Sequence, residues 1–146
     1  MKIIVTRVEK EQPDGTKKEY FSVDKINKLK LFDMPLTVVF AKLMVSKIKE
    51  YGKSAMIIVK LPEEFKPYYI NDAGKEVEAK TCTAVSMFLP IKTSKTGLGE
   101  YGSGKTVLDL NEKAYQAGVP LKIILTTEQK TRKDGTKYST FVAKEA

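Results

Sequence analysis

Residues Gly99 to Thr106 read Gly-Glu-Tyr-Gly-Ser-Gly-Lys-Thr, a full match to the pattern G-x-x-x-x-G-K-[ST]. That pattern's chemistry needs glycines whose backbone N–H groups curl around phosphates. It also needs a lysine, here Lys105, on the β/γ oxygens and a hydroxyl, here Thr106, on magnesium. The same stretch is equally a lysine-bearing finger of the kind that lies along a polyanion backbone. Two readings follow. One is a nucleotide- or phosphate-binding enzyme using Gly99, Gly104, Lys105 and Thr106. The other is a binder with no cofactor and no catalytic residue.

The context favours the second. The pattern works when a strand runs straight into its first glycine and a helix starts at its lysine. Here the strand-like run ends near Pro90–Ile91, and Lys92 to Leu98 intervene before Gly99. The helix signal comes late, with Asp109 as N-cap and Glu112 as its capping-box partner. The 40 residues after Thr106 hold one strand pair and no apolar strand ending in an acid for magnesium.

Other chemistries are excluded by composition. There is no histidine, which removes His-based acid–base catalysis, Ser-His and Cys-His pairs and most transition-metal sites. The single cysteine, Cys82, stands in an apolar run and reads as a core thiol, so no disulfide framework or zinc set forms. The acids are scattered; Glu63-Glu64 and Glu76/Glu78 lie on turns and strands without catalytic partners. No metal site is expected.

Charge points to a partner. Of the 26 basic residues 24 are lysine and two arginine; against 18 acids the net charge is +8. That excess favours a polyanionic partner: DNA, RNA or an anionic membrane surface. Lysine over arginine fits sequence-indifferent contact with phosphates better than bidentate reading of bases. No apolar run approaches the ~18 residues of a membrane span, and the strand-like start MKIIVTRVEK lacks a signal-peptide core. The expectation is a soluble cytoplasmic protein with no membrane partner. Few Asn and Gln with many Lys, Glu and Ile lean toward a thermophile, as an AT-rich genome also would.

The elements that must position these residues are mostly strands. Residues 2–9 alternate, Pro13-Asp14-Gly15-Thr16 is a turn, and Lys17 to Val23 returns, giving a β-hairpin. Asp24 to Asp33 is either a short helix capped by Asp24 or an irregular connection. Asp33-Met34-Pro35 then reads as a helix start. Leu36, Val39, Phe40, Leu43, Met44, Ile48 and Tyr51 recur at helical spacing up to Gly52, with Lys42, Lys47 and Lys49 on the outer face. Ser54 to Leu61 is an apolar strand. Asn71-Asp72-Ala73-Gly74 is a second hairpin turn, and Thr81 to Leu89 a central strand. The long loop from Ile91 to Thr106 is expected to be mobile without ligand. A helix over Asn111 to Ala117 follows, stopped by Gly118. Leu121 to Glu128 and Lys137 to Ala143 are the last strands, joined at Lys133-Asp134-Gly135-Thr136.

From Ser54 the order is strand, strand, strand, helix, strand, strand. This predicts a single α+β domain over 1–146, mostly antiparallel β. Residues 54–146 form an OB-like barrel and 1–53 an added N-terminal layer of hairpin plus helix. At Leu110 to Gly118, Leu121 to Leu125 and Lys133 to Tyr138 the chain resembles the small OB-fold single-stranded-DNA-binding proteins of phages and archaeal viruses. A short helix ending in Ala-Gly, a strand, and a basic Asp-Gly hairpin closing on Tyr carry the likeness, over about 35 residues. The resemblance implies single-stranded nucleic acid as partner. Without tryptophan, base stacking falls to tyrosine or phenylalanine. Candidate stacking residues are Tyr68, Tyr69, Tyr101 and Tyr138. Candidate phosphate contacts are Lys66, Lys92, Lys95, Lys105, Lys130, Arg132, Lys133 and Lys137. Beside this reading stands a module of a virus or mobile element, such as an inhibitor of a host nuclease, acting through a protein partner. A homodimer is left open.

Overall fold

The Asp-Gly-Thr turns fold the chain's two outer hairpins in the same way. In a computed structural model describing residues 1–45, 52–94, 96–97 and 99–146, Asp14 Oδ1 accepts from Thr16 N at 3.0 Å and Thr16 Oγ1 at 2.6 Å. Asp134 Oδ1 does so from Thr136 at 2.9 and 2.6 Å. Gly15 and Gly135 stand at φ 86° and 88°, a region open to glycine at no steric cost. The first turn joins β2 (Thr6–Glu11) to β3 (Lys17–Ser22); the other joins β10 (Leu121–Thr131) to β11 (Lys137–Glu145). Short β1 (Lys2–Ile4) precedes them.

These turn carboxylates, and Asp24, hold a pH signature. Asp24 caps the short helix α1 (Lys25–Lys28), accepting from Asn27 N at 2.8 Å and Asn27 Nδ2 at 3.0 Å. Hydrogen bonds from Thr16, Asn27 and Thr136 hold Asp14, Asp24 and Asp134 below the usual carboxylate range. A carboxylate depressed in the folded state adds stability that is fully present above its unfolded pKa of about 3.9 and is lost as pH falls through the folded value. The thermal midpoint is therefore expected to be flat near neutrality and to drop below about pH 4. Asp14→Asn with Asp134→Asn should flatten that acid limb; an unchanged limb in this double variant would show that the turns do not cause it.

The run expected as a helix over 36–51 is instead strand β4 (Pro35–Val45); residues 46–51, including Lys47, Ile48, Lys49 and Tyr51, lie outside the described residues. A bulge explains the discrepancy. β4 pairs antiparallel with β5 (Lys53–Lys60), with a register shift between Val38 and Phe40. Before the bulge Leu36 and Val38 face the core, while after it Ala41 and Leu43 stand opposite Ile57 and Ala55. One extra residue breaks the period of two. Apolar Phe40 and Met44 on the other face then mimic helical spacing.

The remaining elements are a 3₁₀ turn (Leu29–Leu31), β6 (Lys66–Ile70), β7 (Glu76–Glu78), β8 (Ala84–Thr93), β9 (Glu100–Tyr101) and α2 (Ser103–Ala117). The larger sheet runs β11-β10-β4-β5-β8-β3-β2, with β9 turned back on the end of β8; β1, β6 and β7 make a smaller sheet. The described residues are thus mostly β with two α-helices, in mixed sheets. Pairing is antiparallel in the larger sheet, except that β3 meets β8 in parallel at Ser22 and Ser86.

No closed barrel forms among the described residues. The edge of β8 beyond β5 is occupied piece by piece: β3 at Ser86, Lys28 at Phe88, and the amino end of α2 at Leu89 and Pro90. Lys28 links the two ends of the path β11-β10-β4-β5-β8. Its Nζ donates to the Phe88 carbonyl at 3.2 Å and lies 4.8 Å from the centre of the Phe141 ring. The sheet therefore curls until β8 and β11 flank the same side chain. Inside the curl are Leu36, Val38, Ala55, Ile57, Val59, Val85, Met87, Leu89, Leu121, Ile123 and Leu125, closed over by Val107 of α2. Each large aliphatic buried there stabilises by about 1.5–3 kcal/mol. Cys82 is part of the core, and burial pushes its thiol up to about 11. No helix among the described residues is long and apolar enough to cross a membrane.

Candidate nucleic-acid interface

The stretch matching the phosphate-loop pattern folds in another way. β8 continues to Thr93, and Glu100 and Tyr101 turn back to pair with Thr93 and Lys92. The backbone following Gly99 is thus committed to a β-ladder rather than a loop around phosphates. Helix α2 starts at Ser103, not beyond Asp109 as its capping signal implies. Asp109 lies inside the helix and pairs with Lys105 at 3.1 Å; Thr106 Oγ1 donates to the Gly102 carbonyl at 3.2 Å. Tertiary packing overrides the local cap here. A Cβ on Gly104 would sit 2.5 Å from the Leu89 oxygen and 2.9 Å from the Pro90 oxygen, and Gly102 stands at φ 108° with a Cβ position 2.9 Å from Pro90 O. These two glycines let the helix start flush against the backbone of β8. Of the long loop, the described residues outside strands and helix are Ser94, Thr96, Gly97, Gly99 and Gly102.

Beside that helix start opens a cavity of about 390 Å³. β8 and β9 supply Lys92 and Tyr101, the hairpin of β10 and β11 supplies Lys130 and Tyr138, and Ser103 and Thr106 of α2 close its floor. The register explains the composition. Lys92 is the partner of Tyr101, and Lys130 the partner of Tyr138. Side chains directly opposite in an antiparallel pair share a face, so two Lys–Tyr pairs border one space. Among the described residues no Asp or Glu lines it. Tyr101 is 55% exposed, and Tyr138 is half-buried beneath Arg132, whose guanidinium lies 4.8 Å from the ring centre. Lys133 and Lys137 are exposed at the same hairpin's turn. None of Lys92, Lys130, Lys133 and Lys137 is in an ion pair among the described residues.

Not all the expected residues meet here. Lys105 lines a different opening with Lys53, Thr93, Gly97, Gly99 and Glu100. Lys66, Tyr68 and Tyr69 lie on β6, in the smaller sheet. Cations already stand over both of those rings, Lys2 at 5.2 Å from Tyr68 and Arg7 at 5.5 Å from Tyr69. Lys95 lies outside the described residues.

Sequence reasoning missed Ser103, which the pattern treats as an arbitrary position. It also missed Phe40 and Phe88, 45% and 52% exposed. Phe88 stands opposite Met56, and Phe40 opposite Ile58, on the outer face of the central strands. The helical reading of β4 hid Phe40; the alternation of β8 did contain the signal for Phe88. Among the described residues no group of three Asp, Glu or Cys could hold a metal ion.

Compared with known proteins, the chain matches no family model, no curated protein and no solved structure.

Proposed function

We propose that the protein binds single-stranded nucleic acid, without catalysis and with little sequence specificity. The observation that carries this reading is the convergence of Lys92, Lys130, Tyr101 and Tyr138 on one cavity that no acidic residue lines among the described residues. Lysines track phosphates and release condensed counterions. Tyrosines stack on any base, because every base has a π-face.

The strand order supports an OB-like reading of the curled sheet. Numbering β4, β5, β8, β10 and β11 as strands one to five, the path is five-four-one-two-three, with α2 between the third and fourth. A five-stranded, partly open barrel of this kind presents its second and third strands and its hairpin loops to oligonucleotides. In this reading the first strand is β4, not the run at Ser54, and exposed Phe88 lies on the third. The basic hairpin carrying Arg132, Lys133, Lys137 and Tyr138 is the loop between the fourth and fifth strands.

The test is fluorescence anisotropy of a labelled single strand of about 20 nucleotides, longer than the ~4–16 that one OB fold covers. Binding should weaken steeply with salt and resist duplex competitor. No binding at low salt removes the reading and returns the charge to a protein partner; equal displacement by duplex removes the single-strand preference and leaves a general binder of nucleic-acid backbones.

A further inference from the structure

The amino end of α2 is built without the groups that ordinarily satisfy a helix start. The first four N–H groups of a helix have no intrahelical partner and carry a partial positive charge. They are commonly satisfied by a Ser, Thr, Asp or Asn side chain at the cap. Here the cap is Gly102, no side chain caps the helix, and its first turn has no acid. Beside these amides Ser103 is 3% exposed, and its Oγ is buried without a hydrogen-bond partner among the described residues. Leaving a buried hydroxyl unpaired is costly, so an acceptor brought from outside the chain would stabilise the position. Ser103 and Thr106 line the cavity together with Lys92, Lys130, Tyr101 and Tyr138, and Ser139 and Thr140 add two further hydroxyls. A cavity of mixed polar and apolar lining that holds the helix start and two lysines, with no carboxylate lining it among the described residues, suits an anion with several acceptor oxygens attached to an apolar body.

We propose that the amino end of α2, with Ser103 Oγ, Lys92 and Lys130, is a seat for one phosphate group, the base of the same nucleotide lying against Tyr101 or Tyr138. This differs from the phosphate loop that the sequence pattern describes, because Lys105 is held by Asp109 and lines another opening. The identity of the ligand rests on the nucleic-acid reading. The phosphate itself has two sources, an internal diester of a strand or a monoester such as a terminal phosphate.

The test uses the full chain and three probes: inorganic phosphate, thymidine monophosphate, and oligothymidylate of about 20 nucleotides made with and without a 5′ phosphate. In amide NMR, phosphate and the mononucleotide should shift Ser103, Gly104 and Lys105. Ser103→Ala removes an unpaired buried hydroxyl and adds a better helix former, so its thermal midpoint should be unchanged or higher. Its affinity for the mononucleotide should fall about tenfold, the loss of one hydrogen bond to a charged group. A merely structural serine would not separate those two readouts. If Ser103→Ala weakens the oligonucleotide whatever its end group, the seat takes an internal diester; if only the 5′-phosphorylated strand is affected, it takes a monoester. Shifts confined to the Lys133–Lys137 turn, or unchanged affinities in Ser103→Ala, overturn the seat. The two proposals fail separately. Oligonucleotide binding that ignores Ser103→Ala sinks the seat and leaves the nucleic-acid reading. Mononucleotide binding at Ser103 with no oligonucleotide binding does the reverse.

Discussion

Gly104→Ala is expected to lower the thermal midpoint by roughly 2–8 °C, whereas Gly99→Ala should leave it unchanged. At Gly104 the new methyl group meets backbone, the Leu89 oxygen at 2.5 Å and the Pro90 oxygen at 2.9 Å, with Ile91 Cγ1 also at 2.9 Å. None of these is the free end of a flexible side chain. Relief requires moving β8, whose Leu89 is fully buried between neighbours, or lifting the amino end of α2. Overpacking of this kind costs about 1–3 kcal/mol, occasionally more. The helical preference for alanine over glycine returns at most about 1 kcal/mol, and a contact this far inside van der Waals distance outweighs it. For a chain of this length each kcal/mol moves the midpoint by about 2–4 °C. At Gly99 a methyl group meets nothing within 4 Å. The comparison separates the two origins of the glycine pattern. If glycines serve close packing, Gly104 is critical and Gly99 free. If they serve a phosphate loop, both would alter nucleotide binding, and Gly99→Ala would be the more informative loss. A Gly104→Ala protein as stable as the parent would remove the packing explanation.

This pair of glycines also marks where the sequence was legible and where it was not. The three turns were readable because their chemistry is local: a carboxylate or amide oxygen reaching the amide two residues on, and a glycine at positive φ. Asn71 Oδ1 accepts from Ala73 N at 3.0 Å in the same manner, and Gly74 is at φ 77°. The strands at Ser54 to Leu61 and Thr81 to Leu89 were readable as short apolar runs, although the second begins later, at Ala84, and runs on to Thr93. β4 was not, since a bulge resets its phase and both faces carry apolar side chains. The start of α2 was not readable either. Ser103 and Gly104 are poor helix formers, and Asp109 with Glu112 makes a better local cap. Only contact with β8, far from any local signal, places the helix four residues before Val107, the side chain that seals the core. The same limit applies to the site. Lysine and tyrosine types could be named, but not the register that sets Lys92 opposite Tyr101 and Lys130 opposite Tyr138 while sending Tyr68 and Tyr69 to another sheet.

Tyr101→Ala is expected to weaken single-strand binding by about 5- to 150-fold, the ~1–3 kcal/mol that a stacked base contributes. Tyr101 is more than half exposed and on a two-residue strand, so the loss should come without a fall in the thermal midpoint. Tyr138→Ala should lose affinity in the same range but also some stability, because that ring is half-buried under Arg132. Tyr69→Phe is the control, on a ring already faced by Arg7. Lysine variants report on a different quantity. Lys92→Gln and Lys130→Gln should each reduce the slope of log affinity against log salt by about 0.7, one phosphate contact on a single strand, and act alike on every sequence. Affinity with its slope intact after both lysine changes would mean that the charge acts elsewhere on the surface. The double variant of Tyr101 and Tyr138 carries the sharpest information. If the two rings hold bases of one strand passing through the cavity, removing the first loosens the strand, and removing the second then costs less than it did alone. Strictly additive losses would place the rings on independent contacts, and the cavity between them would no longer be the path of the strand.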